Sequence, residues 1–290
     1  MTPPKSSVPV AVVTGASSGF GLLAAVDLAL AGHRVFATMR DLDRRADVEA
    51  AAANAGAKIE VVALDVSRPE SVEAAMGRVM QLAGRIDVLV NNAGVGFGGF
   101  FEDTTVQELR DVFETNFFGL VATMKAVVPH MREQRRGRII NVSSMSGVVA
   151  HPTTSAYCAS KFAVEGLSES VRYELAPFGV YVVLVEPGQF RTQIFDRNLR
   201  LSARSNDSTS PYYQRGQRVL AHIRGSLEKS TADPREVARL IVRASTADRP
   251  ELRYVAGRDA RLSNIARHIV PGFVRERVFQ RLYEKMSDPR

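Results

Sequence analysis

Tyr157 and Lys161 stand four positions apart, and Ser144 lies thirteen residues ahead of the tyrosine. On a helix, a four-residue spacing brings two side chains onto one face about one turn apart, so a phenol and an ammonium would be neighbours. A free tyrosine titrates near ~10 and exchanges its proton poorly at neutral pH unless a nearby cation favours the phenolate. Lys161 is placed to supply that charge. Ser144 closes the apolar run 138–144, from which a strand would deliver its hydroxyl to the start of the helix. The three groups would then converge on one carbonyl oxygen, with Ser144 hydrogen-bonding it, Tyr157 protonating it and Lys161 assisting the tyrosine. Tyr-x-x-x-Lys also occurs by chance on solvent-facing helices, so the weight of the pair depends on what positions it.

Those elements begin at the N-terminus. Residues 8–14 form a short apolar run that reads as a buried parallel strand, followed at once by Gly15-Ala-Ser17-Ser18-Gly19-Phe20-Gly21, a helical segment over 22–31 and a second strand over 34–38. Strand, glycine turn, helix and strand make a βαβ unit whose glycines let backbone N–H groups approach a pyrophosphate at the positive end of the helix. Further strands are predicted over 58–66, 86–90, 139–144, 180–185 and 252–256. Helices are predicted over 47–55, 67–83, 104–134, 153–175 and 234–245. The expected fold is α/β, a Rossmann-type doubly wound, seven-stranded parallel sheet with helices on both faces and a C-terminal helical extension. We expect one domain over 1–290, with a helical substrate flap at about 188–225 and the extension at about 259–290.

At this point the chain resembles the short-chain dehydrogenase/reductase family. The resemblance rests on Thr14-Gly15-x-x-x-Gly19-x-Gly21, Asn91-Asn92-Ala93-Gly94, Asn116, Ser144, Tyr157-x-x-x-Lys161 and Pro187-Gly188 with Thr192, all in the family's order. It implies hydride transfer between a nicotinamide and a carbonyl or secondary alcohol, catalysed by Asn116, Ser144, Tyr157 and Lys161. Asn116 would hold a water in a proton relay behind Lys161, against the alternative of bracing a helix to a strand. Lys161 would touch the nicotinamide ribose, Asp65 and Val66 would border the adenine, and Thr192 the nicotinamide amide. Pro187-Gly188 would turn the chain over the pocket. Asn92, Ala93 and Gly94 are small enough to let the cofactor lie close, although Asp65 would equally cap the next helix. Phe20, larger than usual for the family, would narrow the space beneath the nicotinamide. The strand end at Ala37-Thr38-Met39-Arg40 and the run Tyr157-Cys-Ala-Ser-Lys161-Phe are most similar to 17β-hydroxysteroid and retinol dehydrogenases.

The second strand ends in Met39-Arg40, where an acid would accept from the adenosine ribose and an arginine would bind a 2′-phosphate. NADP(H) is therefore favoured over NAD(H), with Arg40 as determinant; the alternative is a solvated arginine opening a loop with Arg44 and Arg45. Phe97, Val148, Val149, Phe190, Phe195, Tyr212 and Tyr213 are candidates for an apolar pocket suited to a small lipophilic carbonyl or alcohol, or for plain core. The glycines at 96, 98 and 99 read as a mobile loop and residues 202–210 as a serine-rich linker.

The chain has 290 residues, with 45% hydrophobic and 24% charged, an ordinary globular composition. Its one cysteine, Cys158, excludes an intramolecular disulfide, and its five histidines form no ligand-like cluster, so no metal is expected. The net charge of +7 is uneven: residues 1–190 hold 17 Lys and Arg against 20 Asp and Glu, and the last hundred hold 21 against 11. The arginines are spread along amphipathic segments without aromatic interleaving, so neither nucleic acid nor a membrane is the expected partner. The lead-in lacks a signal-peptide core, so a cytoplasmic protein is expected, and the family resemblance implies a homodimer or homotetramer built through the helices holding Asn116 and Tyr157. The rival reading is a cofactor-binding regulator or membrane-associated protein without turnover.

Overall fold

The computed structural model describes residues 8–191 and 198–287. In chain order the elements are β1 (Val10–Val13), α1 (Gly19–Leu30), β2 (Arg34–Met39), α2 (Arg45–Asn54), β3 (Ile59–Ala63), α3 (Pro69–Ala83), β4 (Val88–Asn91), β5 (Gly96–Gly98), α4 (Val106–Phe113), α5 (Gly119–Gln134), β6 (Gly137–Val142), α6 (Ser155–Leu175), β7 (Val180–Pro187), β8 (Leu199–Leu201), α7 (Tyr213–Lys229), α8 (Arg235–Thr246), β9 (Arg253–Ala256), α9 (Arg258–Ile269) and α10 (Gly272–Ser287). Seven strands form one sheet in the order β3-β2-β1-β4-β6-β7-β9, with every pairing parallel.

Parallel strands joined by helical crossovers are covered on both faces, which is why β1 and β7 read as continuous apolar runs. Alternation along β1 divides them. Ala11 and Val13 join Ala24 and Leu28 of α1 and Ile241 of α8 in one core, while Val10 and Val12 join Val72 of α3, Met124 of α5 and Val164 of α6 in the other. Strand order reverses between β1 and β4, and a crevice opens outside their carboxyl ends, the place where ligands bind in open α/β sheets.

Four local expectations need correction. The predicted helix over 104–134 is interrupted: α4 starts on a Thr105–Glu108 capping box, and a π turn over Glu114–Phe118 intervenes before α5, with Gly119 N–H bonded to the Glu114 carbonyl. The glycines at 96 and 98 form no loose loop, because β5 pairs in parallel with β8. The flap is only partly helical, with β8 and a 3-10 turn at Ala203–Asn206 preceding α7. Its serine-rich stretch is pinned rather than linker-like: Ser202 and Ser210 are buried, and the Ser210 hydroxyl donates to Asp103 Oδ2 at 2.6 Å.

Candidate active site

The helical spacing read from the sequence is realised at the start of α6, where Tyr157 and Lys161 face the end of β6. Ser144 caps the 3-10 turn 145–147, accepting from Ser146 N–H at 3.0 Å, and it lines the same two spaces as Tyr157. Lys161 Nζ donates to the Val142 carbonyl at 2.8 Å and lies 5.9 Å from the centroid of the Tyr157 ring. Burial dominates both titrations. It pushes the phenol up to about 12 against the opposing pull of Ser144, and it pushes Lys161 down to about 8 against the field of Glu165. The expected depression of Tyr157 by Lys161 is not seen: burial raises the phenol, and Ser144 is what opposes it. At neutral pH the phenol keeps its proton and the lysine its charge, a state suited to donating a proton onto an oxygen.

Asn116 lies in the π turn, where its side chain braces two segments. Its Oδ1 accepts from Val95 N–H at 2.8 Å, and its Nδ2 donates to the Val95 carbonyl at 3.0 Å and to Ser160 Oγ at 3.2 Å. The chain leaving β4 and the helix carrying Tyr157 are thereby held in fixed relation. A second brace ties β4 to the glycine turn: Asn92 Nδ2 donates to the carbonyls of Thr14 and Gly15 at 3.0 and 3.1 Å, and Ala93 N–H donates to Thr14 Oγ1 at 3.0 Å.

The crevice at the switch point is lined by Gly15, Ser17, Ser18, Gly19, Phe20, Arg40, Asp65, Val66, Asn92, Ala93 and Gly94, all expected from the sequence, and by Met39, Leu64, Val95, Thr115 and Asn198, which were not. These residues fit a dinucleotide. Gly15 has φ +64°, and a Cβ there would meet Ala93 Cα at 2.7 Å, so the turn hugs β4 and leaves the groove open. Ser18, the N-cap of α1, makes no side-chain cap, leaving first-turn N–H groups for an anion. Arg40 is exposed at the groove's edge while Met39 is buried. Asp65 borders the groove and also caps the following turn, its Oδ1 accepting from Ser67 N–H and Oγ at 3.1 and 2.7 Å.

Gly21 and Gly188 serve packing rather than the lining. A side chain on Gly21 would clash with Asn92 Nδ2, and one on Gly188 would meet Asp259 Oδ1 at 2.5 Å. Thr192 and Phe195 fall outside the described residues.

A smaller space joins the groove to the triad, lined by Phe20, Ser144, Tyr157, Lys161, Pro187 and Phe190 among others. Phe20 and Phe190 meet edge to face there at 5.5 Å, so Phe190 walls the cofactor side and not the substrate side. Beyond Ser144 and Tyr157 opens an apolar cavity whose walls include Phe97, Phe100, Leu199, Leu201, Tyr212, Tyr213, Leu220 and Ile223. Phe100 and Tyr212 stack at 4.5 Å, which fixes the flap to the chain after β5. Val148 and Val149 do not belong to this cavity; they line a separate outer groove against α9 and α10. Local hydrophobicity signals such residues as apolar without telling which hollow they face.

A family model described as short chain dehydrogenase matches residues 9–200. The chain is 42% identical over 267 residues to an uncharacterized oxidoreductase, YusZ, of Bacillus subtilis, covering 90% of this chain and 94% of that one. It is 38% identical to the 3-ketodihydrosphingosine reductase of Bacteroides thetaiotaomicron, covering 86% and 87%, and 38% identical to human 17-beta-hydroxysteroid dehydrogenase type 1, covering 84% and 76%. Among solved structures, a short chain dehydrogenase/reductase from Burkholderia phymatum in complex with NAD superimposes with TM-score 0.79 at 28% identity over 91% of this chain and 94% of that one. A metagenomic short-chain oxidoreductase in complex with NADP gives 0.68 at 32% over 87% and 98%.

Proposed function

The chain belongs to the short-chain dehydrogenase family, whose members are nicotinamide-dependent oxidoreductases, and we propose that it reduces a lipophilic ketone or aldehyde with NADPH. One observation carries this reading: Ser144 and Tyr157 line both an apolar cavity and the smaller space that adjoins the groove at the glycine turn. The nicotinamide supplies the hydride. Ser144 and Tyr157 hold the carbonyl oxygen between two hydroxyls, and the Tyr157 phenol, which keeps its proton at neutral pH, donates it as negative charge develops. Lys161, charged at that pH, stabilises the phenolate left behind. Asn116 keeps β4 and α6 in register around the oxygen.

Arg40 at the groove's edge supports NADP(H), since its guanidinium offers forked N–H donors to a 2′-phosphate. The apolar cavity supports a lipophilic substrate, in keeping with the names of the sphingoid and steroid relatives. Phe118, Phe162 and Tyr173, exposed around the π turn and α6, support self-association through that face. NADPH oxidation followed over a panel of ketones and aldehydes, with NADH in parallel, tests the proposal. Turnover of long-chain or polycyclic ketones with NADPH is the expected result; activity confined to small polar carbonyls, or faster with NADH, would sink it.

A further inference from the structure

Tyr157, Lys161, Glu165 and Glu169 follow one another at four-residue steps, so α6 carries one ionisable stripe. Glu165 is 6% exposed, and Glu186, near the end of the apolar strand β7, is 0% exposed. A buried carboxylate needs a cation and hydrogen-bond donors. The two share Arg253 at the start of β9, whose Nε is 3.3 Å from Glu165 Oε2 and 3.1 Å from Glu186 Oε1. Its Nη2 donates to Glu169 Oε2 at 2.8 Å. Even so, neither oxygen of Glu186 nor Oε1 of Glu165 receives a hydrogen bond from a donor group.

All three carboxyls crowd around Arg253. Glu169 is half-exposed, so the charge to be accommodated inside the fold is that of Glu165 and Glu186, two buried carboxyls at one guanidinium nitrogen. One proton held between them leaves a single negative charge there, with Lys161 one helical turn from Glu165. A protonated carboxyl is also a donor, which meets the need of the orphaned oxygens. Gly147 packs close enough that a Cβ there would stand 3.1 Å from Glu165 Cγ, so the pair is tightly enclosed.

We propose that Glu165 and Glu186 share a single proton and act together as positioning residues for Lys161, the one negative charge left on the pair holding the ammonium that serves Tyr157. The proposal rests on the roles of Tyr157 and Lys161 given above. The groups facing the pair are Lys161 and Glu169 from α6, Arg253 from β9 and Arg267 from α9, while β6 and the turn after it present only Ser143 and Gly147. Burial, then repulsion from Glu165, pushes Glu186 up to about 7. Burial raises Glu165 as well, opposed by Ser143 and Arg253.

Infrared difference spectra at pH 7 test the shared proton directly. The wild type should show the carbonyl stretch of a buried protonated carboxylic acid, and the double variant Glu165→Gln/Glu186→Gln should lack it. The pH profile of kcat then tests the link to Lys161. Its alkaline limb should move about one pH unit lower in Glu165→Gln, further in the double variant, and hardly at all in Glu186→Gln, where Glu165 carries the charge alone. Glu165→Asp should restore the wild-type limb. A wild type without the band, or a double variant whose Tm changes while its limb stays fixed, overturns the proposal in favour of a merely structural clamp. An inactive protein that still shows the band would uphold the shared proton and defeat the enzymatic reading instead.

Discussion

The two hollows that meet at Tyr157 are built of different material. The groove at the switch point gathers the small residues of the glycine turn and of the chain after β4, with Phe20, Met39, Arg40 and Leu64 among its larger walls. Gly15 in its left-handed conformation presses against Ala93, and Asn92 ties the two strand ends together. The apolar cavity is made of side chains from segments a hundred residues apart, with Phe97 and Phe100 on one side and Leu199, Leu201, Tyr212 and Ile223 on the other. Backbone contacts read what every dinucleotide shares; side chains can be exchanged without disturbing the sheet. The groove should therefore be intolerant and general, the cavity tolerant and selective.

Tyr157 belongs to the wall between them, so its hydroxyl can be removed without rebuilding either. Tyr157→Phe should lower kcat by about 10³-fold, the scale of losing a general acid. NADPH affinity by fluorescence titration should be unchanged. A parallel loss of NADPH affinity would mean that the wall is part of the groove and the division is misdrawn.

The same division explains what the sequence made legible. The groove is readable because its demands are steric and local: glycines at 15 and 19, a small residue at 93 and an arginine after β2 are each visible within a few positions. The Tyr157–Lys161 spacing is local too. The cavity is only partly readable: Phe97, Tyr212 and Tyr213 were candidates for it and do line it, but β8 needs β5 as a partner and Ser210 needs Asp103, pairings set by long-range packing. Glu165 and Glu186 were not singled out, because only the fold brings them together at Arg253. The π turn at Asn116 was hidden because its composition is that of the helices around it.

Smaller effects test each hollow separately. Arg40→Ala should reduce the preference for NADPH over NADH, measured as a ratio of kcat/KM, by about 10- to 100-fold, the loss of a charge-assisted contact. Activity with NADH should barely change. An unaltered ratio would return Arg40 to the role of a solvated loop residue. Phe100→Ala removes the ring stacked on Tyr212 and should raise KM for a lipophilic carbonyl about tenfold, with NADPH affinity as in the wild type. If NADPH affinity moved instead, the flap would be serving the groove and the contrast would fail.

The smallest effect separates activity from stability at one group. Lys161 titrates near 8 in the fold and near ~10.4 when unfolded. Between these values the unfolded chain binds more protons than the native one, so this group's contribution to stability grows as pH rises and is lost as pH falls through 8. Turnover should do the reverse, declining above pH 8 as the ammonium is lost. Thermal melts of wild type and Lys161→Met between pH 7 and 10 check the sign: the Tm of the wild type relative to the variant should climb by a few degrees over the range in which wild-type kcat falls. A relative Tm that falls with pH would mean that the lysine's partners outweigh its burial, and that the site is held together by the charge it uses.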